Sequence, residues 1–551
     1  MKHLIALALI AAAAQATIPL PAAPSWSSSD HDYSTGGAWA DVNGDGLVDL
    51  LTSNGNDMAL DSNGVYLNSG GTLETVASWR SADAGYFGHC YAGDVDNDGD
   101  IDLAVAYLGA GSSGDFRARI YRNEGGTLSA LPWWQSDDQH SSFDCCLGDV
   151  DMDGDLDLCI SAGDAYQGEV DSVRIYRNNG GVFEPLPFWT ANEGTASDAV
   201  RFADVDDDGD LDLFVGHRGK VTMFRNNAGT LDPNPAWTAR RGVGWVLRLA
   251  IGDYDRDHLP DLAVACNDQL GDPNGIFVYH NDSGTLDTLP AFAMQRQGSA
   301  LYGSCVAWGD FNGDMQPDLA AGGWWRPVVV YEGRPGGLDT IPAWSWSPPN
   351  RYDLVCEAVA VADARNATLV SIPEVRAGDG VRKLWQLGNL PLQSIDSVTV
   401  DGARVPVAGW CADPLAGWVS LAAAPPSGSA VCFYYRLSVF PDLAVTNWDR
   451  GNGNHLFLNT SASGIAAPTT KPPAALVAAP GIFADRTTLL WTGAPPDRAT
   501  AVTVSDLSGR RVYSASVGSF PFTLDLSPLP PGVYFAAVGD RARIKLVKAD
   551  R

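Results

Sequence analysis

Asp204-Val-Asp-Asp-Asp-Gly-Asp-Leu-Asp212 runs straight into the apolar Leu213-Phe-Val215, and this junction of acidic loop and strand decides the fold. The nonapeptide recurs as Asp41–Asp49, Asp94–Asp102, Asp149–Asp157, Asp253–Asp261 and Asp310–Asp318, with successive starts 53, 55, 55, 49 and 57 residues apart. Self-similarity at such a period marks a repeat architecture whose units bury their apolar faces only against neighbours. After each loop comes an apolar strand (Leu103-Ala-Val-Ala106, Leu262-Ala-Val-Ala265), then a second such as Arg119-Ile-Tyr-Arg-Asn123. A Gly-rich turn (Gly125-Gly-Thr-Leu128) and a Pro/Trp strand (Leu131-Pro-Trp-Trp134) follow, and a segment such as His89-Cys-Tyr-Ala92 leads into the next loop. Four short strands per unit predict propeller blades.

The loops carry a specific chemistry. Positions one, three, five and nine are Asp or Asn throughout, and position seven adds a backbone carbonyl. Hard oxygen ligands in a flexible loop suit Ca²⁺ rather than zinc or copper. The expected ligands are Asp41, Asn43, Asp45, Leu47 and Asp49 in the first loop, and Asp94, Asp96, Asp98, Asp100 and Asp102 in the second. The third supplies Asp149, Asp151, Asp153, Asp155 and Asp157, and the fourth Asp204, Asp206, Asp208, Asp210 and Asp212. The fifth supplies Asp253, Asp255, Asp257, Leu259 and Asp261, and the sixth Asp310, Asn312, Asp314, Gln316 and Asp318. Position six is Gly in the first four loops but His258 and Met315 in the last two. A turn that favours positive φ penalises those side chains, so loops five and six are expected to be the weaker sites. Asx-turns without metal are the competing reading of all six.

These units resemble FG-GAP (VCBS-type) repeats, the blades of integrin α-like propellers, over roughly residues 24–363 and 441–461. The resemblance implies a β-propeller with Ca²⁺ in the hairpin between the first and second strands of each blade. It says little about the ligand, because one fold hosts many functions.

Charge fits the loop reading. The chain carries 66 Asp plus Glu against 36 Lys plus Arg, a net charge of -30, and 26 of the acids lie in the six nonapeptides. Six Ca²⁺ ions would reduce that to -18, whereas empty loops would repel themselves. Lys and Arg form no cluster, so nucleic acid is not an expected partner.

Outside the six repeats, Asp363 stands where a seventh loop should begin, and Pro441-Asp-Leu-Ala-Val445 reads as a loop end with its strand. About 71 intervening residues read as a small β domain budding from the blade. The last blade lacks a Pro/Trp strand, and Ala23-Pro-Ser-Trp26 supplies one from the amino-terminal side. The expected fold is therefore all-β: a seven-bladed β-propeller with an inserted small β domain and a C-terminal immunoglobulin-like β-sandwich. Its divisions are a signal peptide (1–16), blades one to six with the start of seven (17–363), the insert (364–440), the rest of blade seven (441–461), a Pro/Ala-rich linker (462–480) and the sandwich (481–551). Lys2 and His3 before the apolar Leu4–Ala14, with Ala14-Gln15-Ala16, form the signal pattern, and no apolar run is long enough to span a bilayer. Asp506-Leu-Ser-Gly-Arg510, Leu529-Pro-Pro-Gly-Val-Tyr534 and Ile544-Lys-Leu-Val-Lys548 resemble the C-terminal sorting domain of type IX secretion cargo. That resemblance implies export by the type IX machinery to the bacterial surface or beyond.

Functionally, the leading expectation is a secreted or surface Ca²⁺-binding module for an extracellular glycan or protein. Trp324, Trp325, Arg326, His217, Arg218, Trp448 and Arg450 are its candidate ligand residues, on loops opposite the metal hairpins. Cys411 and Cys432 are the candidate disulfide pair; Cys90 and Cys145 are either a second pair or buried thiols. The alternatives are a polysaccharide lyase or hydrolase, with His31 and His140 as the acid/base candidates, and a purely structural repeat protein. No nucleophile elbow, zincin or phosphate-loop motif is present.

Overall fold

The computed structural model describes residues 18–551 apart from 58, 111–113, 165–166, 240–242, 268, 271–274, 295–302, 450, 464–474, 480–481, 484–485, 493–499, 507–509, 518–521, 531, 539–541 and 549–551. The signal segment, Arg450 and most of the linker therefore lie outside the described residues. Among those described there is no α-helix, and none of the three short 3₁₀ turns is long and apolar enough to cross a membrane.

Each acidic loop is a hairpin whose position nine begins the second strand of a sheet, as Asp212 begins Asp212–His217. In the fourth repeat the strands Ser197–Ala203, Asp212–His217, Lys220–Phe224 and Trp237–Thr238 pair antiparallel in chain order. Sheets of this form start at Ser34, Phe87, Cys145, Ser197, Trp245 and Gly303. A seventh joins Cys356–Ala362, Asp442–Asn447 and His455–Phe457 to Trp26–Ser27 from the far end of the chain, with Trp26 opposite Leu456. The first strand of each sheet packs on that of the next, and Cys356–Ala362 packs back on Ser34–Ala40. The result is a β-propeller architecture. Second strands such as Asp102–Tyr107 are buried along their whole length, which is why they read as unbroken apolar runs rather than alternating ones.

Two repeated contacts weld neighbouring sheets. Fourth-strand tryptophans meet the third-strand aromatic of the next sheet edge-on: Trp79 with Tyr121 at 5.7 Å, Trp189 with Phe224 at 5.5 Å, and Trp26 with Tyr66 at 5.5 Å. A buried Asn closing each third strand donates its Nδ2 to the preceding loop: Asn123 to Val42 O (2.8 Å), Asn178 to Val95 O (2.6 Å), Asn226 to Val150 O (2.9 Å) and Asn281 to Val205 O (2.8 Å). Asn459 reaches Phe311 O at 2.8 Å, and Asn68 reaches Ala364 O at 2.6 Å. Sheet six has Gly333 in that place, and a Cβ there would lie 2.3 Å from Pro317 O. Its stitch is missing because backbone has closed the space an Asn would need.

The insert does not bud away from the ring. Its two small sheets, one containing Leu369–Ala377 and Ala430–Ser438 and the other Trp418–Leu421, settle over the loop face. Trp418 is fully buried in the same apolar cluster as Tyr91, Val150 and Leu156 of the ring, and Tyr91 Oη donates to Asp413 Oδ2 at 2.5 Å. Beyond the linker, a three-stranded and a five-stranded sheet enclose Val502, Val504, Leu524 and Leu526.

Candidate functional site

The loop geometry follows from the nonapeptide order. Position one takes the N–H of position five on Oδ1 and that of position six on Oδ2, as Asp94 does from Asp98 (3.1 Å) and Gly99 (2.9 Å). Position nine takes the N–H of position two and that of the third-strand Asn, as Asp102 does from Val95 and Asn123. Position six lies at positive φ in every loop, including His258 (74°) and Met315 (67°). In loops two to five this folding gathers carboxylates: oxygens of Asp94, Asp96 and Asp102 lie within 4.8 Å of one another, as do those of Asp149, Asp151 and Asp153, of Asp204, Asp206 and Asp208, and of Asp253, Asp255 and Asp261. The buried Asp96 Oδ1 and Asp151 Oδ1 have no hydrogen-bond partner. Burial pushes the carboxyls of Asp102 and Asp149 up to about 7 and those of Asp212, Asp261 and Asp318 up to about 8. An all-oxygen donor set with unsatisfied oxygens and strained charge fits a hard divalent cation.

Cations already reach the edges of these loops, a feature the sequence reading missed. Arg122 pairs with Asp96 (2.7 Å), Arg177 with Asp151 (2.8 Å), Arg225 with Asp206 (2.6 Å) and His280 with Asp255 (3.1 Å), each one residue past the third strand of its own sheet. From the insert, Arg382 bonds Asp204 Oδ2 (2.9 Å), Ser420 donates to Asp149 Oδ2 (2.5 Å), and Gly388 O lies 2.8 Å from His258 Nδ1. In the interrupted seventh repeat Arg365 donates to Asp442 Oδ1 at 2.9 Å, standing where the other repeats keep further acids. The Arg-Asn ending of the third strands was the visible signal; the insert's contributions had none.

Opposite the loops, the starts of first strands and the ends of second strands form a cavity of about 210 Å³ to which all seven sheets contribute. Its aromatic wall is Phe143, Trp245, Trp324, Trp325 and Trp448. Trp324 stacks on Trp448 at 6.0 Å and 15°, and meets Trp245 edge-on at 5.9 Å. Its acidic wall is Asp57, Asp164, Asp198 and Glu357. Asp198 Oδ2 accepts from Trp245 Nε1 at 2.7 Å, and burial pushes its carboxyl up to about 8. Glu357 is 2% exposed, its Oε2 has no hydrogen-bond partner, and burial raises it well above the carboxylate range. Deeper in the ring, Arg201 and Arg248 each donate to the fully buried Asp144 at 2.7 Å.

Of the candidate ligand residues, Trp324, Trp325 and Trp448 thus meet at one site. His217 does not: it is 1% exposed and bonded to Thr195 (3.0 Å) and Thr222 (2.9 Å), so it belongs to the core. Arg218 is exposed and donates to Leu270 O, and Arg326 is half-buried outside the cavity lining. Cys411 and Cys432 are not a disulfide. They lie on different sheets, Cys411 opposite Ser420 and Cys432 between Val375 and Thr399, and both are buried thiols, as are Cys90 and Cys145. The thiols the fold does bring together are Cys305 and Cys356, at 3.3 Å across sheets six and seven. His140 is held between Asp138 (3.2 Å) and Asp171 (2.5 Å), while Asp30 and Asp32, the neighbours of His31, are held by Arg80 (2.6 and 2.8 Å).

The FG-GAP-like repeat family matches residues 41–105, 159–215 and 204–264. No curated protein matches the chain. Among solved structures, BBS1N in complex with ARL6DN is 12% identical, with a TM-score of 0.39, covering 72% of this chain and 95% of that one. An Agrocybe aegerita lectin that recognises non-reducing terminal N-acetylglucosamine is 19% identical, with a TM-score of 0.37, covering 59% of this chain and 84% of that one.

Proposed function

We propose that this chain is a secreted or bacterial cell-surface binding module for an extracellular glycan or protein, built on a seven-bladed propeller. Ca²⁺ stiffens the propeller in its acidic hairpins, and an immunoglobulin-like C-terminal domain delivers it through the type IX machinery. The observation that carries the binding reading is the cavity: concave, walled by four indoles, and supplied by every sheet. Ca²⁺ would be held by the Asp and Asn side chains of the nonapeptides, where it would neutralise carboxyls that burial otherwise keeps protonated. The test is a screen of the purified chain against polysaccharides and extracellular proteins, comparing wild type with the Trp325→Ala/Trp448→Ala pair. Both side chains are half-buried, so the double variant should lose ligand with little change in melting temperature. Full binding by that folded variant would move the site elsewhere.

A second reading has one observation in its favour. Asp198, raised to about 8 inside a cavity, is the kind of carboxyl that serves as a general acid in sugar cleavage. Product analysis in the same screen separates the two, because a binding module returns its polysaccharide uncut.

A further inference from the structure

We infer that the cavity across the ring binds a primary ammonium group carried on a small body that stacks against indole. This rests on the binding-module reading and names what its site takes.

Four facts point to a cation. Among the described residues the lining holds four carboxyl side chains (Asp57, Asp164, Asp198 and Glu357) and no Lys, Arg or His. The acids influence one another around the wall: Asp164 raises Asp57 and Asp198, and Asp57 raises Glu357, each beneath the larger effect of burial. Glu357 Oε2 and Gln269 Oε1 are buried acceptors there without a hydrogen-bond partner, and Trp324 Nε1 is a buried donor without one, so the site holds polar atoms that an occupant can bond, a carboxyl oxygen among them. Four of the other lining side chains are indoles, whose faces attract cations. The positive charge below does not cancel this. Arg201 and Arg248 share Asp144, which leaves one net positive charge against four carboxyls, and His89 is fully buried and held neutral by burial.

An anion would make ionising any carboxyl of that wall costlier still, whereas a cation offsets that cost. A cavity of about 210 Å³ has room for an amine on a short alkyl stem or for a single sugar ring. Entry of a cation favours ionised carboxylates, so binding expels the proton that Asp198, raised to about 8, holds at neutral pH.

Isothermal titration of the full chain in Ca²⁺ buffer tests this with two ammonium probes, 1,5-diaminopentane and D-glucosamine, and their neutral counterparts 1,5-pentanediol and D-glucose. At least one ammonium probe should bind, and its neutral counterpart should bind at least about tenfold more weakly. The pair that responds tells alkyl amine from amino sugar. Diaminopentane, if it is the responder, should bind about tenfold more tightly at pH 9 than at pH 7, because a carboxyl at about 8 is mostly protonated at the lower pH. Glu357→Gln and Asp198→Asn should each weaken binding about tenfold while leaving the melting temperature in place. Should either fail to fold, Asp57→Asn, at the half-buried edge, carries the same expectation. Equal affinity for glucosamine and glucose overturns the ammonium inference and leaves the binding module standing. Binding of none of the probes overturns it too, while the module reading stands or falls by its own polysaccharide and protein screen.

Discussion

Met315 and His258 occupy the same left-handed position of their loops, yet their substitution should have opposite outcomes. Met315 is 40% exposed and its side chain offsets nothing, so Met315→Gly removes the left-handed penalty and should stabilise by about 0.5–1 kcal/mol after the entropy of Gly is counted. His258 has its Nδ1 tied to Gly388 O, so His258→Gly loses that contact and should gain nothing. Urea melts of the two variants read the difference, and a gain at both positions would show that the tie to the insert is worthless. His217 gives a pH signature. Burial first, then Lys220, lowers it to about 3, so the unfolded chain takes up a proton near pH 6.5 that the folded chain refuses. The contribution of neutral His217 is complete above pH 6.5 and is lost as pH falls towards 3. Below pH 6, wild type should lose roughly 1 kcal/mol per pH unit relative to His217→Gln. Parallel pH–stability curves for the two would rule this out.

Between elements, the Asn stitches matter more than their exposed neighbours suggest. Asn226 Nδ2 bonds Val150 O of the preceding loop (2.9 Å) and Leu211 O of its own (3.2 Å), so Asn226→Ala frees two buried carbonyls at once. The expected cost is about 1–3 kcal/mol, read by chemical denaturation. Replacing the exposed Asn227 should cost less than about 0.5 kcal/mol, and equal losses would mean the stitch contributes nothing. Since sheet six lacks this bond, amide exchange in denaturant should show the junction of sheets five and six opening before the others.

For the whole molecule, ring closure is the controlling quantity, joined by metal if the loops take Ca²⁺ as proposed. Deleting residues 17–28 removes Trp26 from Tyr66, Ser28 from Asn454, and the buried Ile18 and Leu20. The melting temperature should fall for the entire ring rather than for one blade, because a missing outer strand reopens a sheet edge. With Ca²⁺ in the loops, a site at about 100 times its dissociation constant adds roughly 2.7 kcal/mol, so exhaustive chelation should lower the melting temperature strongly. An unchanged curve would remove metal from the account.

The repeat, the hairpin position of the acidic loops and the strain at Met315 were legible in the chain's residue order, because these depend on spacing and local φ. It also placed Trp324, Trp325 and Trp448 on one face, since the chain order of strands in a repeat dictates which ends lie together. Tertiary structure decided the rest. His217 looked like a loop residue, but it ends a strand that is buried throughout. Cys411 and Cys432 were near in sequence, but neighbouring sheets separated them, and the ring instead brought Cys305 to Cys356. Asp57, Asp164, Asp198 and Glu357 come from four different repeats and share no motif. Only closing the sheets around one axis sets them against the same cavity, and no local pattern records a meeting made by closure.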